Sequence, residues 1–145
     1  MKILIINGPN LNRLGKRDPG VYGRKTLAEI NEELRQSFPQ LEFTFLQSNH
    51  EGALIDAIQQ AEAEYQGIVI NPGAYSHYSL AIRDAIADCP IPVVEVHISN
   101  IAAREEFRRH SVISAVCQGT VAGFGPNGYA LAVRGLLSQI KTKKV

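Results

Sequence analysis

Short apolar runs alternate along the chain with segments in which apolar residues recur every three or four positions. The runs are KILIIN (2–7), LEFTFL (41–46), GIVI (67–70), VVEVHI (93–98) and TVAGF (120–124). Runs of four to six residues between polar segments predict β-strands. The first, third and fourth runs are rich in Ile and Val and barely alternate with polar residues, which is typical of strands covered on both faces.

The segments between the runs have the pattern of amphipathic helices. We predict helices over 26–38, 51–65, 79–89 and 128–140. Thr26 is followed three residues later by Glu29, which indicates a capping box at the start of the first helix. Ser79 is the predicted N-cap of the third helix.

This alternation predicts an α/β fold with a doubly wound, five-stranded parallel sheet. The right-handed crossover rule leaves few topologies, and the flavodoxin-like strand order 2-1-3-4-5 suits five strands. With 145 residues, we expect one domain over 1–145. Ligands of such sheets bind beyond the carboxyl ends of the strands.

Composition excludes several classes of function. A net charge of +1 gives no footprint for nucleic acid, and the opening MKILIING is too short an apolar run for a signal peptide or a membrane span. Cys89 and Cys117 are far apart in sequence and form no redox or metal motif. We interpret both as reduced core residues of a cytoplasmic protein.

Polar and aromatic segments follow strands 1, 3 and 4, where a ligand is expected. They read NGPNLNRLGKRDPGVYG, NPGAYSHYS and EVHISN. The first lacks the glycine spacing of a dinucleotide site and of a P-loop, so a nucleotide site is disfavoured. Asn10 and Asn71 have two interpretations, because an asparagine can organise a turn or can hold a water or an oxyanion. His77 is either a helix-start residue or a ligand contact.

Residues 13–25 form a long polar loop, and loops of this length in compact domains are often lids. Within it, we expect residues 17–23 to have no regular structure. Tyr22 lies there among several cations, and a nearby positive charge favours a phenolate. Arg17 is close to Tyr22 in sequence, and we expect Arg108 to be close in space.

The segment EVHISN carries the sharpest signal. Glu95 and His97 are two positions apart, so they share one face of a strand predicted to be buried. A buried carboxylate without a partner is costly, so Glu95 needs one, either in a site or in a purely structural pair. The backbone N–H groups of Ile98 and Ser99 then lie at a strand-to-helix turn, which suits an anion.

The run REEFRRHS follows directly. Arg104 and Arg108 are four positions apart and could share a helical face. A charge run is usually solvated, but its place after EVHISN indicates that one of these arginines points inward.

Several chemistries are disfavoured by what the chain lacks. Its four histidines form no zinc spacing, no lysine is suitably placed for a Schiff base, and no serine lies in a nucleophile elbow. The acid and base candidates are Tyr22, His97, His77 and Glu95.

Three alternatives to an enzyme remain open on this reasoning. A non-catalytic module that binds an anionic metabolite would need only the turns and arginines, and would not need Tyr22 and His97 together. A response regulator would have an aspartate where strand 3 ends in Asn71. A structural assembly protein would not explain Glu95 beside His97 in a buried strand.

Four segments together resemble those of the type II 3-dehydroquinate dehydratases, in order and in spacing, over nearly the full chain. They are NGPNLNRLGKRDPGVYG, NPGAYSHYSLAIRDA, EVHISNIAAREEFRRHS and GFGPNGYALA. The resemblance implies a flavodoxin-like subunit in a homododecamer, a tetramer of trimers. It also implies dehydration of 3-dehydroquinate to 3-dehydroshikimate without a metal, an organic cofactor or an imine, in the shikimate pathway or in quinate catabolism.

The resemblance further implies roles for single residues. Tyr22 corresponds to the base that removes the C2 proton, and Arg17 to the residue that favours its tyrosinate. His97 corresponds to the acid that protonates the departing C1 hydroxyl, Asn10 to the holder of a water that stabilises the enolate, and Glu95 to the residue that orients this machinery.

The same resemblance implies a set of substrate contacts. They are Asn71, His77, Ile98, Ser99, Arg104 and Arg108, with Asp84 reaching the site from a neighbouring subunit.

Overall fold

Five parallel strands form one sheet in a computed structural model, which describes residues 1–143. The strands are β1 (Lys2–Asn7), β2 (Glu42–Gln47), β3 (Gly67–Asn71), β4 (Val93–His97) and β5 (Gly119–Ala122). Their order is β2-β1-β3-β4-β5, which confirms the predicted flavodoxin-like sheet.

α-Helices follow β1, β2, β3 and β5, whereas short 3₁₀ turns join β4 to β5. The α-helices are α1 (Pro19–Tyr22), α2 (Leu27–Ser37), α3 (Glu51–Gln60), α4 (Leu80–Asp88) and α5 (Gly128–Lys143). Among residues 1–143, no helix combines the length and the apolar character that crossing a membrane requires. Residues 144 and 145 of the predicted domain lie outside the described part of the chain.

The predicted elements exist, and the differences lie at their ends. The Thr26–Glu29 capping box is present, and the Ser79 hydroxyl accepts the N–H of Ile82 at 3.0 Å. The helix predicted over 51–65 ends earlier, because the chain tightens after Gln60 into a 3₁₀ turn. Strand β5 stops before Gly123, whose φ of 93° leaves the extended conformation.

Each face of the sheet has its own core, which explains the unbroken apolar runs. In β1, Ile3 and Ile5 pack into the cluster shared with α2 and α5, while Leu4 and Ile6 pack into the cluster shared with α3 and α4. Successive side chains of a strand point to opposite faces. A strand covered on both faces therefore buries both sets of alternating side chains, and its sequence is a nearly continuous apolar run.

The stretch 17–23 differs from the prediction of irregular structure, since residues 19–22 form one helical turn. Pro19 is at its first position, where the fixed φ of proline suits a helix and the missing N–H costs nothing. The N–H groups of Val21 and Tyr22 donate to the carbonyl of Asp18, and Gly23 donates to the carbonyl of Pro19. This turn sets the direction in which Tyr22 leaves the backbone.

The loops after β1 and β3 meet at the carboxyl edge of the sheet. Asn7 pairs in register with Asn71, and the N–H of Gly8 donates to the carbonyl of Asn71 at 2.8 Å. From these adjacent strands the chain leaves in opposite directions, toward β2 from β1 and toward β4 from β3. Such a switch point leaves a crevice in which ligands bind.

Candidate active site

A cavity opens at this crevice, and it gathers the segments that follow β1, β3 and β4. Ten of the twelve predicted site residues line it: Asn10, Arg17, Tyr22, Asn71, His77, His97, Ile98, Ser99, Arg104 and Arg108. The other two, Asp84 and Glu95, are not among its lining residues.

The phenol oxygen of Tyr22 accepts two hydrogen bonds from guanidinium groups. Nη2 of Arg17 donates to it at 3.2 Å, and Nη1 of Arg104 donates to it at 2.7 Å. The Cζ of Arg17 also lies 4.3 Å from the centre of the tyrosine ring. Two positive donors on one oxygen stabilise negative charge there. The second cation is Arg104, whereas we expected Arg108, which instead binds the carboxylate of Glu105 at 2.7 Å.

Glu95 and His97 form a buried pair on β4. Glu95 is fully buried and His97 is 5% exposed, and Nε2 of the imidazole lies 2.5 Å from Oε2 of the carboxylate. Ser111 donates to the same oxygen at 2.7 Å. Ser114 donates to Oε1, which Thr120 approaches at 3.4 Å. The carboxylate is therefore surrounded by donors.

Two opposing effects act on the pKa of Glu95. Burial alone raises it, but the hydrogen bond and charge of His97, together with the hydroxyls of Ser114 and Ser111, outweigh burial, and the pKa lies below its usual value. The carboxylate is thus ionised at neutral pH. An ionised acceptor on Nε2 makes that nitrogen the donor and leaves Nδ1 as the nitrogen not bound to Glu95.

The two asparagines hold different places in the cavity wall. Asn10 is exposed and left-handed, with φ 69°, and its N–H donates to the side chain of Asn49 at 3.0 Å. Asn71 is buried, its side chain donates to the hydroxyl of Tyr129 at 3.0 Å, and it accepts the N–H of Gly73 at 3.1 Å. Asn71 therefore serves the turn, as one of its two predicted interpretations requires, and also lines the cavity.

The ring of His77 faces that of His97 across the cavity wall, with centroids 6.4 Å apart. Its Nδ1 lies 2.8 Å from the backbone carbonyl of His110. A carbonyl can only accept, so Nδ1 carries the proton and Nε2 is the nitrogen left for a ligand.

Arg104 and Arg108 do not share a helical face, which corrects the prediction from their spacing. Residues 101–108 form two separate 3₁₀ turns, Ile101–Ala103 and Glu106–Arg108, and Arg104 is extended between them. Both arginines still reach the cavity. Arg104 also approaches the hydroxyl of Ser99 at 3.4 Å.

Asp84 lies on α4 with an exposed side chain, outside the cavity of its own chain. The resemblance assigns it to the site of a neighbouring subunit, and that role stays a prediction.

Sequence reasoning missed the residues that support the site from behind. Ser111, Ser114 and Thr120 surround Glu95. The buried Tyr129 of α5 donates to Asn7 at 2.5 Å and accepts from Asn71. The need of Glu95 for partners pointed to such donors, but no periodic pattern identifies serines 16 and 19 residues away.

Comparison with known proteins decides the family. The model of the family described as "Dehydroquinase class II" matches residues 1–137. This chain belongs to the class II dehydroquinase family. It is 61% identical over 138 residues to a 3-dehydroquinate dehydratase of Bacillus subtilis, which covers 94% of this chain and 93% of that protein. It is 60% identical over 139 residues to one of Pelodictyon phaeoclathratiforme, with 94% and 92% covered.

A solved class II dehydroquinase has the same fold. The crystal structure of the type II dehydroquinase of Butyrivibrio crossotus aligns with a TM-score of 0.92 at 50% identity, covering 94% of this chain and 97% of that one. Membership of an enzyme family decides against the response regulator, the binding module and the assembly protein that the residues alone left open.

The described residues 1–143 contain no group of three or more His, Cys, Asp and Glu side chains that could hold a metal ion.

Proposed function

We propose that this chain is a 3-dehydroquinate dehydratase that forms 3-dehydroshikimate by anti elimination of water through an enolate. The single observation that carries the proposal is the double guanidinium contact on the Tyr22 oxygen, in the same cavity as the carboxylate-bound imidazole of His97. We place the reaction in the shikimate pathway of aromatic amino acid biosynthesis, as the resemblance of the motifs implies.

The base in this proposal is the phenolate of Tyr22. Removal of a proton beside a ketone needs a base whose charged form is stabilised before the reaction, and Arg17 and Arg104 supply that stabilisation. The C–H electron pair moves into an enolate, and the proton passes to the phenolate oxygen. Asn10, on the cavity wall, holds a water that donates to the enolate oxygen.

The acid is His97. As the enolate oxygen reforms the ketone, the enolate C=C electron pair shifts to form the C1=C2 double bond and the C1–O bond breaks. The C1–O electron pair leaves with oxygen, which takes a proton from the imidazolium and departs as water. An ionised Glu95 at Nε2 favours the imidazolium and fixes the ring. General acid and general base steps each contribute about 10²–10⁴-fold to the rate.

The remaining cavity residues bind the substrate in this proposal. The substrate has one carboxylate and several hydroxyls, so it needs both charged and neutral donors. The cavity wall supplies guanidinium, amide and hydroxyl donors, and Nε2 of His77 is an acceptor. The residues proposed to bind the substrate are Asn71, His77, Ile98, Ser99, Arg104 and Arg108. No metal or organic cofactor takes part.

We further propose, from the resemblance of the motifs, that residues 1–145 form one catalytic domain that assembles into a homododecamer in the cytoplasm. Asp84 would then face the cavity of a neighbouring subunit, since it is exposed and outside its own. A mass measured in solution tests the assembly: the dodecamer has twelve times the mass of the 15.9 kDa chain.

The activity is tested by the absorbance of the conjugated enone product. Wild-type protein should convert 3-dehydroquinate, Tyr22→Phe should lose most turnover while binding substrate normally, and His97→Ala should stall elimination. Tyr78→Phe is the matched control, because Tyr78 is 63% exposed and is not a cavity residue. An inactive wild type would reject the reaction, and near-normal turnover of Tyr22→Phe would reject the base.

A further inference from the structure

The carboxylate of Glu95 is held at both oxygens. Oε2 accepts hydrogen bonds from Nε2 of His97 at 2.5 Å and from the hydroxyl of Ser111 at 2.7 Å. Oε1 accepts a hydrogen bond from the hydroxyl of Ser114 and a weaker one from the hydroxyl of Thr120 at 3.4 Å. Donors on both oxygens fix the rotation of the carboxyl group, and that rotation sets the direction from which the imidazole is held.

Ser111 is itself fixed by the backbone. Its oxygen accepts the N–H groups of Ile113 and Ser114, both at 3.2 Å. A hydroxyl has one proton to donate and two acceptor positions. With both acceptor positions filled, its proton is committed to Glu95.

Ser114 begins a 3₁₀ turn, Ser114–Val116, in the segment between β4 and β5, and its N–H binds the hydroxyl oxygen of Ser111. Neither serine is a lining residue of the cavity. Any effect of the two hydroxyls on the reaction therefore passes through Glu95, and neither contacts the substrate.

We propose that Ser111 and Ser114 are positioning residues for the acid: they hold the Glu95 carboxylate charged and in one orientation, so that His97 is bound through Nε2 and presents Nδ1 to the cavity. The inference rests on the proposed function, since it assigns supporting residues to the acid of that reaction. It adds two side chains that the resemblance does not place in the site.

The sign of the pH effect follows from the groups that face Glu95. These are His97 from its own strand, Ser111 and Ser114 from the following segment, Thr120 from β5, and the half-buried Cys117, whose thiol pKa the Glu95 charge helps to raise. Removing a hydroxyl donor destabilises the carboxylate, so the pKa of Glu95 rises. The ionised form is then lost at a higher pH as the solution is acidified.

The kinetic test compares Ser114→Ala with Ser114→Thr, which keeps the hydroxyl, and with Thr120→Val, which removes the weakest donor. Ser114→Ala should lower kcat about tenfold, a part of the contribution of a general acid, with KM unchanged, and should move the acidic limb of the pH–rate profile to higher pH. Ser114→Thr should keep kcat and the acidic limb close to those of the wild type, and Thr120→Val should change kcat and the acidic limb less than Ser114→Ala does. An unshifted profile in Ser114→Ala, or equal losses in Thr120→Val, would overturn the proposal.

A spectroscopic test does not depend on turnover. With ¹³C-labelled glutamate, the Glu95 carboxyl signal is assigned by its absence in Glu95→Gln, and it should titrate below the usual range in the wild type and at higher pH in Ser114→Ala. The ¹⁵N signals of His97 should show the proton on Nε2 in the neutral ring. A Glu95 carboxyl with an ordinary titration in the wild type would refute the inference even if no variant folded.

The two tests separate this inference from the proposed reaction. An inactive wild type whose Glu95 titration shifts in Ser114→Ala would reject the reaction and leave the positioning of Glu95 intact. An active wild type whose pH–rate profile and Glu95 titration do not change in Ser114→Ala would support the reaction and reject the positioning role.

Discussion

Arg104 donates a hydrogen bond to the phenol oxygen of Tyr22 at 2.7 Å, although the two residues are 82 positions apart. Tyr22 belongs to the loop after β1, and Arg104 to the segment after β4. The contact therefore joins two segments at the mouth of the cavity, and Arg17, from the same loop as Tyr22, adds a second donor at 3.2 Å. In the proposed reaction, these two hydrogen bonds form only when the Tyr22 oxygen, which is the base, lies in the cavity.

Arg104→Met should separate the charge of this contact from its bulk. The variant keeps much of the side-chain volume but removes the positive donor, so negative charge on the Tyr22 oxygen loses its shorter contact. We expect kcat to fall by roughly 10²-fold, about 2.7 kcal/mol in transition-state stabilisation, and added guanidinium to restore part of it.

The matched control is Arg35→Met. The guanidinium of Arg35 also lies over an aromatic ring, with its Cζ 4.8 Å from the ring centre of Phe45, but it is exposed on α2 and is not a lining residue of the cavity. We expect its kcat to be unchanged. Equal kcat values for Arg104→Met and the wild type would contradict the role assigned to Arg104.

The fold could be predicted from the sequence because burial on both faces leaves a simple pattern. Ile3 to Ile6 form an unbroken apolar run whose alternate members enter two different cores, and the helices show one apolar face each. The pair of Glu95 and His97 could be predicted for the same reason, since a carboxylate in a buried strand must have a partner.

The contacts that complete the site could not be predicted, because they depend on where loops turn. Arg104 reaches Tyr22 only because residues 101–108 form two short turns rather than one helix. Spacing alone favoured a shared face with Arg108. The helical turn that carries Tyr22 was missed because Gly20 lies within it and Gly23 follows it, although Pro19 at its first position favours a helix start.

Tyr129→Phe should destabilise the protein without touching the cavity wall directly. The hydroxyl of the buried Tyr129 joins Asn7 and Asn71, and its removal leaves a buried acceptor and a buried donor unpaired. An unsatisfied buried polar group costs about 1–3 kcal/mol, so the free energy of unfolding in urea should fall by about that amount. Tyr65→Phe is the comparison, since Tyr65 is only half-buried; an equal loss there would contradict the network.

Cys117 should make the protein lose stability in alkali. Burial, and secondarily the charge of Glu95, raise the pKa of its thiol to about 12 from the usual 9.0. Between these values the unfolded chain has released the proton while the folded protein still holds it, so the unfolded state binds fewer protons and stability falls as pH rises. The effect is absent below the unfolded value.

The measurement compares the free energy of unfolding of the wild type and Cys117→Ser on both sides of the usual thiol pKa, at about pH 8 and about pH 10.5. The serine variant should lose less stability over this interval. Other groups, including the buried Tyr129 hydroxyl, whose pKa burial also raises, contribute equally to both proteins. Parallel losses in the two proteins would show that the Cys117 thiol ionises as readily in the folded state as in the unfolded chain.

Gly8→Ala should damage the site through the backbone. A β-carbon on Gly8 would lie 2.5 Å from the carbonyl oxygen of Pro72. Both atoms are fixed by the backbone, so only a movement of the chain can relieve this contact. The loops after β1 and β3 would have to separate, and the hydrogen bond from Gly8 to Asn71 would be lost with them. Because these loops place cavity residues on both sides of the switch point, we expect turnover and the free energy of unfolding to fall together.

Gly52→Ala provides the control for this substitution. Gly52 lies on the exposed side of α3, and a β-carbon there would meet nothing within 4 Å. Alanine is favoured over glycine in a helix by about 0.5–1 kcal/mol, so this variant should be slightly more stable and fully active. Denaturant unfolding and the enone assay on the two variants measure both quantities. If Gly8→Ala kept wild-type stability and turnover, the close approach of the two loops would not be what positions the cavity.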